Sequence, residues 1–135
     1  MKNLIFILAL SLSTIGAYAQ TTNYQLSSHI LDVSKGTPAA GVTIQLEKLN
    51  VTNNKWTQID KKVTDKNGRV GSFLESSKNN TGIYKLTFLV SDYFKQKNTD
   101  SFYPFIDVVF EIKDNQHYHV PITLSEFGYA TYRGN

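Results

Sequence analysis

The sequence predicts an all-β chain: a two-sheet β-sandwich of eight short strands with one short helix. Three observations carry this. Apolar and polar residues alternate with period two along most of the chain from residue 24 onward. Turn-forming clusters interrupt the alternation at short intervals, and only SDYFKQKN, residues 91–98, shifts to helical spacing.

In chain order, Gln25 to Val33 places Leu26 and Ile30 on one face and His29, Leu31 and Val33 on the other. Lys35-Gly36-Thr37-Pro38 then turns the chain. Gly41 to Leu49 is a clear half-buried strand, with Val42, Ile44 and Leu46 opposite Thr43, Gln45 and Glu47. Asn53-Asn54 leads into a weaker strand, Lys55 to Thr64, and Asp65-Lys66-Asn67-Gly68 into Arg69 to Phe73. These Asn, Asp and Gly clusters tolerate positive φ and close hairpins. After Asn79-Asn80-Thr81-Gly82, the run Ile83 to Val90 aligns Tyr84, Leu86, Phe88 and Val90. Ser91 and Asp92 can cap a helix extending to Asn98. Pro104 to Lys113 aligns Ile106, Val108, Phe110 and Ile112, and His117 to Leu124 and Gly128 to Tyr132 complete the eight.

At 135 residues the chain has the size of one domain. Its start reads as a removable leader: Lys2, an apolar run from Leu4 to Gly16, then Ala17-Tyr18-Ala19 as an A-x-A cleavage signal. The expected division is a signal peptide at 1–19 and a single domain at 20–135. The apolar run is shorter than a membrane-spanning helix needs, so the expectation is an exported protein with no membrane attachment after cleavage. There is no cysteine, which excludes thiol catalysis, disulfides and Cys-type zinc sites. The formal charge is +3, but no basic stripe with interleaved aromatics accompanies it, and no nucleic-acid partner is expected. A phosphate-binding glycine loop, a G-x-S-x-G elbow and a catalytic carboxylate pair are all missing from the sequence.

What chemistry remains lies in histidines and arginines. In HYHVPITL, Tyr118, Val120, Ile122 and Leu124 form the apolar face, so His117 and His119 share the other. Three readings stand open: two surface imidazoles, a metal site with His29 as third ligand, or proton transfer. His29 alone reads as a hydrogen-bonded structural residue. Arg69, just after the Asn67-Gly68 turn, is either a solvated hairpin arginine or a fixed cation for an anionic or carbonyl-rich ligand. The aromatic, glycine-containing tail, with Tyr129, Tyr132 and Arg133, is expected to dock and not to fray.

Taken together, SSHILD, TDKNGR, SFYPFIDVVFEIKD and HYHVPITLSEFGYATYRG resemble the transthyretin-like 5-hydroxyisourate hydrolase family, from about residue 25 to the C-terminus. The resemblance implies a transthyretin-like eight-stranded two-sheet β-sandwich with one short helix. It also implies a homotetramer, built as a dimer of dimers with active sites in a channel between dimers. The implied reaction is hydrolysis of 5-hydroxyisourate to 2-oxo-4-hydroxy-4-carboxy-5-ureidoimidazoline in urate degradation, with no cofactor and no metal. Carried over by motif, the catalytic residues are His29, Arg69 and His119. The substrate-binding tail is Tyr132, Arg133, Gly134 and Asn135, while His117 has a supporting role at most.

The family pattern ends Tyr-Arg-Gly-Ser, whereas this chain ends in Asn135. A hydroxyl can relay a proton; an amide, with its donor and acceptor on separate atoms, does so poorly. Phe105 and Glu126 also depart from the pattern. The alternative function is an exported transthyretin-like protein that binds a small ligand or a metal without hydrolase activity. The leader implies export, to the periplasm of a Gram-negative bacterium or by secretion otherwise, although urate breakdown is commonly intracellular.

Overall fold

The computed structural model describes residues 21–135; the leader read at 1–19 and its cleavage point lie outside the described residues. Nine strands and one helix follow: β1 (Tyr24–Asp32), β2 (Thr37–Pro38), β3 (Thr43–Asn50), β4 (Lys55–Val63), β5 (Arg69–Glu75), β6 (Gly82–Leu89), α1 (Val90–Lys95), β7 (Ile106–Ile112), β8 (Tyr118–Leu124) and β9 (Tyr129–Thr131). The eight expected strands are all present. The additional β2 is a two-residue pairing of Thr37 and Pro38 with Asp32 and Leu31.

The strands form two sheets. One is antiparallel throughout, in the order β4-β3-β6-β7. The other has the order β2-β1-β8-β9, with β5 also paired to β1. In this second sheet β1 and β8 run parallel, from Leu26↔Tyr118 to Asp32↔Leu124, so the first and penultimate strands of the domain are central neighbours. Strands β5 and β2 occupy the side of β1 that faces away from β8.

Alternation decides what fills the space between the sheets. Leu26 and Ile30 of β1, Phe73 of β5, and Tyr118, Val120, Ile122 and Leu124 of β8 face inward from one sheet. Ile44, Leu46, Tyr84, Leu86, Phe88, Ile106 and Ile112 meet them from the other. Each large apolar side chain buried here contributes on the order of 2 kcal/mol. The inward polar groups are bonded: Ser28 Oγ donates to the Val120 carbonyl (2.8 Å) and Tyr84 Oη to the Asn80 carbonyl (2.9 Å).

The helix differs from expectation. It begins at Val90 and ends at Lys95, not at Asn98, and neither Ser91 nor Asp92 caps it; Leu89 occupies the cap position without a side-chain bond. Ser91 Oγ donates instead to the Pro104 carbonyl (2.9 Å). Tertiary packing replaces capping: Val90, Tyr93 and Phe94 are buried, and Tyr93 Oη donates to Asp32 Oδ2 (2.7 Å). Asn98 then adopts φ +52, which stops the helical path. The Lys97 ammonium still folds back over the Tyr93 ring, 4.8 Å from its centroid.

Candidate active site

The outer face of the five-stranded sheet collects the polar residues. On β1, period two turns Ser27 and His29 outward while Leu26, Ser28 and Ile30 go to the core. Across the sheet His29 is registered with Arg69 of β5 on one side and Pro121 of β8 on the other. His119 is the register partner of Ser27. Two histidines and an arginine distant in sequence thus meet on three adjacent strands.

The turn before β5 explains how Arg69 is placed. The Asp65 carboxylate accepts from the backbone N–H of both Asn67 (2.8 Å) and Arg69 (2.9 Å). Gly68 N–H donates to the Asp65 carbonyl (2.9 Å), and the Gly68 carbonyl accepts from Ile30 N–H (2.9 Å). Gly68 has φ +70, and a Cβ there would stand 2.6 Å from the Ile30 carbonyl oxygen and 3.1 Å from the Ala39 nitrogen. Only glycine allows the turn to lie this close to β1. Arg69 itself is exposed on the outer face.

On the other side His119 is half-buried, and its Nδ1 lies 2.8 Å from Ser27 Oγ. The same hydroxyl lies 2.8 Å from Nε2 of the exposed His117, whose Nδ1 is 3.1 Å from the Tyr24 carbonyl. The tail docks through its backbone. Strand β9 pairs with Ile122, Thr123 and Leu124 of β8, and Gly134 N–H donates to the His119 carbonyl at 2.8 Å. At Gly134 the chain passes directly over the His119 imidazole: a Cβ would overlap Cδ2 and sit 3.2 and 3.3 Å from Cγ and Cβ.

Electrostatics favour the neutral imidazoles. Burial first, then the Arg69 cation, then His29 and His117, lower the His119 pKa below its ordinary 6.5. Burial and then Arg69 also lower that of His29, with the Asn67 backbone and the Asp65 carboxylate pulling the other way. At neutral pH both rings offer a lone pair beside a fixed positive charge, suited to taking a proton from water and steadying an oxyanion.

Of the predicted residues, His29, Arg69, His119 and Gly134 come together. Tyr132 and Asn135 are exposed in the single chain. The Arg133 guanidinium lies 4.5 Å from the centroid of the Tyr118 ring and donates to Gln116 Oε1 (3.4 Å). Among the described residues no three His, Cys, Asp or Glu side chains converge as a metal site. Two contributors escaped the sequence reading. Asp65 sits four residues before Arg69, a spacing that signals a capped turn, and Ser27 shares the face of His29 by simple alternation.

A family model described as the HIUase/Transthyretin family matches residues 26–134. A probable 5-hydroxyisourate hydrolase of Caenorhabditis elegans is 44% identical over 134 residues, covering 98% of this chain and 97% of the relative. Among solved structures, the 5-hydroxyisourate hydrolase of Klebsiella pneumoniae superposes with a TM-score of 0.71 at 34% identity, over 82% of this chain and 98% of that one. Sea bream transthyretin in complex with thyroxine superposes with a TM-score of 0.76 at 29% identity, over 82% and 94%.

Proposed function

The chain belongs to the HIUase/Transthyretin family, and from that premise we infer that it is a hydrolase opening the cyclic amide of 5-hydroxyisourate to give 2-oxo-4-hydroxy-4-carboxy-5-ureidoimidazoline. The observation that carries the reading is the meeting of His29, Arg69 and His119 on one sheet face, with the backbone of Gly134 laid over His119. In this mechanism the neutral imidazoles of His119 and His29 position water and take its proton. Hydroxide adds to the ring carbonyl, and Arg69 stabilises the oxyanion. Collapse of the adduct breaks the C–N bond as a histidine N–H protonates the leaving nitrogen. No cofactor enters these steps. The tail residues Tyr132, Arg133, Gly134 and Asn135 complete the substrate contacts.

The assembly that suits this site is a homotetramer, a dimer of dimers in which a neighbouring copy covers the exposed tail. Tyr132 at 60% exposure and Phe127 at 76% support it, as does the outer edge of β7, unpaired among the described residues and with Val109 exposed. The proposed location follows the leader at 1–19: export, to the periplasm in a Gram-negative host.

The experiment follows the ultraviolet decay of 5-hydroxyisourate, freshly generated from urate with a urate oxidase, with and without the domain from Gln20 onward. Acceleration by the parent chain and its loss by about 10²-fold or more in a folded His119→Ala variant are the expected results. No acceleration by a folded parent would remove the hydrolase reading and leave ligand binding as the function of the fold.

A further inference from the structure

With both imidazoles neutral, the contacts around Ser27 admit one arrangement of protons. A backbone carbonyl only accepts, so the 3.1 Å contact with the Tyr24 oxygen places a proton on His117 Nδ1. In neutral His117 the other nitrogen, Nε2, is then a lone pair, and the Ser27 hydroxyl 2.8 Å away donates to it. With its one proton committed, Ser27 Oγ accepts from His119, so Nδ1 of His119 carries the proton at 2.8 Å. His119 Nε2 is left bare: the tautomer a general base needs.

We propose that Ser27 and His117 form a proton relay that converts His119 from base to acid within one turnover by exchanging its tautomer. The proposal rests on the hydrolase reading. As Nε2 of His119 takes a proton from the attacking water, its Nδ1 proton passes to Ser27 Oγ, and the Ser27 hydroxyl proton passes to His117 Nε2. The hydroxide forms the bond to the ring carbonyl. His119 is now neutral with its proton on Nε2, and His117 is the imidazolium. In the second half His119 Nε2–H protonates the leaving nitrogen as the C–N bond breaks. As it does so, the His117 Nε2 proton returns to Ser27 Oγ and the Ser27 hydroxyl proton to His119 Nδ1, so His119 stays neutral throughout. Protons and charges balance, and His119 never carries two protons.

The geometry gives this a purpose. A cationic His119 would be half-buried beside Arg69 and next to His29, where burial and the nearby guanidinium oppose it. His117 is exposed, and water stabilises the charge there. The titratable and charged groups around the relay are Arg69 on β5 and His29 on β1, with Asp65 beyond His29. Arg133 of the tail is engaged with Tyr118 and Gln116. Ser27 and His117 are thus positioning residues acting through His119.

The test combines imidazole ¹⁵N spectra with rate profiles for the full domain, Ser27→Ala and Ser27→Thr. The parent should show His119 protonated on Nδ1 at neutral pH and shift to Nε2–H on acidification. Ser27→Ala should abolish that coupled shift, lower kcat by about 10- to 100-fold with KM little changed, and alter the pH profile. Ser27→Thr, which keeps a hydroxyl, should restore both. A resting His119 already protonated on Nε2, or a Ser27→Ala enzyme with the parental kcat and pH profile, would overturn the relay. The spectra need no substrate, so an inactive parent that still shows coupled tautomers would refute the hydrolase reading and not the relay.

Discussion

Gly134→Ala is the most informative single substitution in this domain. A methyl group there would overlap Cδ2 of His119 and stand 3.2 and 3.3 Å from Cγ and Cβ. Carbon atoms settle at about 3.5 to 4.0 Å, so the ring and the tail must separate by about 1 Å. Two responses are open. If the tail lifts, the 2.8 Å bond from Gly134 N–H to the His119 carbonyl is lost, worth about 0.5–1.5 kcal/mol and a fall of a few degrees in Tm. If the ring rotates, the 2.8 Å contact of Nδ1 with Ser27 breaks. A rotated ring moves the reactive nitrogen and a lifted tail moves the substrate contacts it supplies, and a displacement of about 1 Å costs about 10²-fold in rate. The expected phenotype is a near-native protein with kcat about a hundredfold lower, read by stopped-flow absorbance beside a thermal melt. Turnover within about threefold of the parent would show that the imidazole over which the tail passes is not held for catalysis.

Arg69→Lys keeps the charge but loses the planar fork, so kcat/KM should fall by about tenfold or more, and Arg69→Gln should fall further, by about 10²- to 10³-fold; equal activity of the lysine variant would reduce Arg69 to a point charge. Gly68→Ala forces an L side chain to φ +70 with its Cβ against the Ile30 carbonyl, which should lower unfolding free energy by about 1–3 kcal/mol in urea titrations; an unshifted midpoint would mean that the turn does not pack on β1 as described. Stability should also respond to acid. His29 and His119 have pKa values below 6.5 in the fold, so below 6.5 the unfolded chain takes up protons before the native one does. Stability at these two sites is therefore complete above that pH, is lost as pH falls towards the lowered native values, and then levels off. Urea midpoints of His29→Gln and His119→Gln should vary less with pH between about 7.5 and 5.5 than those of the parent, and a parallel dependence would count against the lowered values.

How much of this could be read from the sequence depended on whether the signal was local. In β3, β6 and β7 an inward apolar set keeps the period, and Ile44, Leu86 and Ile106 are buried as it requires. The same period put His117 and His119 on the outer face of β8. The tail docks as expected, but through backbone pairing and not through its aromatic residues, since Tyr129 and Tyr132 are exposed. The parallel pairing of Leu26 to Asp32 with Tyr118 to Leu124 leaves no local trace, and without it Ser27 is an ordinary outward serine. The helix was misjudged at both ends because its hydroxyl and carboxylate residues suggested a cap. Burial of Val90, Tyr93 and Phe94 governs that segment instead. The residue-by-residue assignment of His29 and Arg69 came from motif resemblance, since each alone had an adequate structural explanation.

The parallel seam between β1 and β8 also bears on how the protein is made. Ser27 and His119 are separated by 92 positions in the chain, so β1 leaves the ribosome well before the strand that brings them together. Hairpins such as β3–β4 can form early because their contacts are near in sequence. Strand β1 has no partner on its β8 side until Tyr118 to Leu124 have been made. A prematurely terminated chain could therefore build most of the β4-β3-β6-β7 sheet and still have no reactive centre, leaving an open backbone edge along β1 available to other chains. Arrival of the segment from Tyr118 to Asn135 closes that edge and brings the reactive residues together.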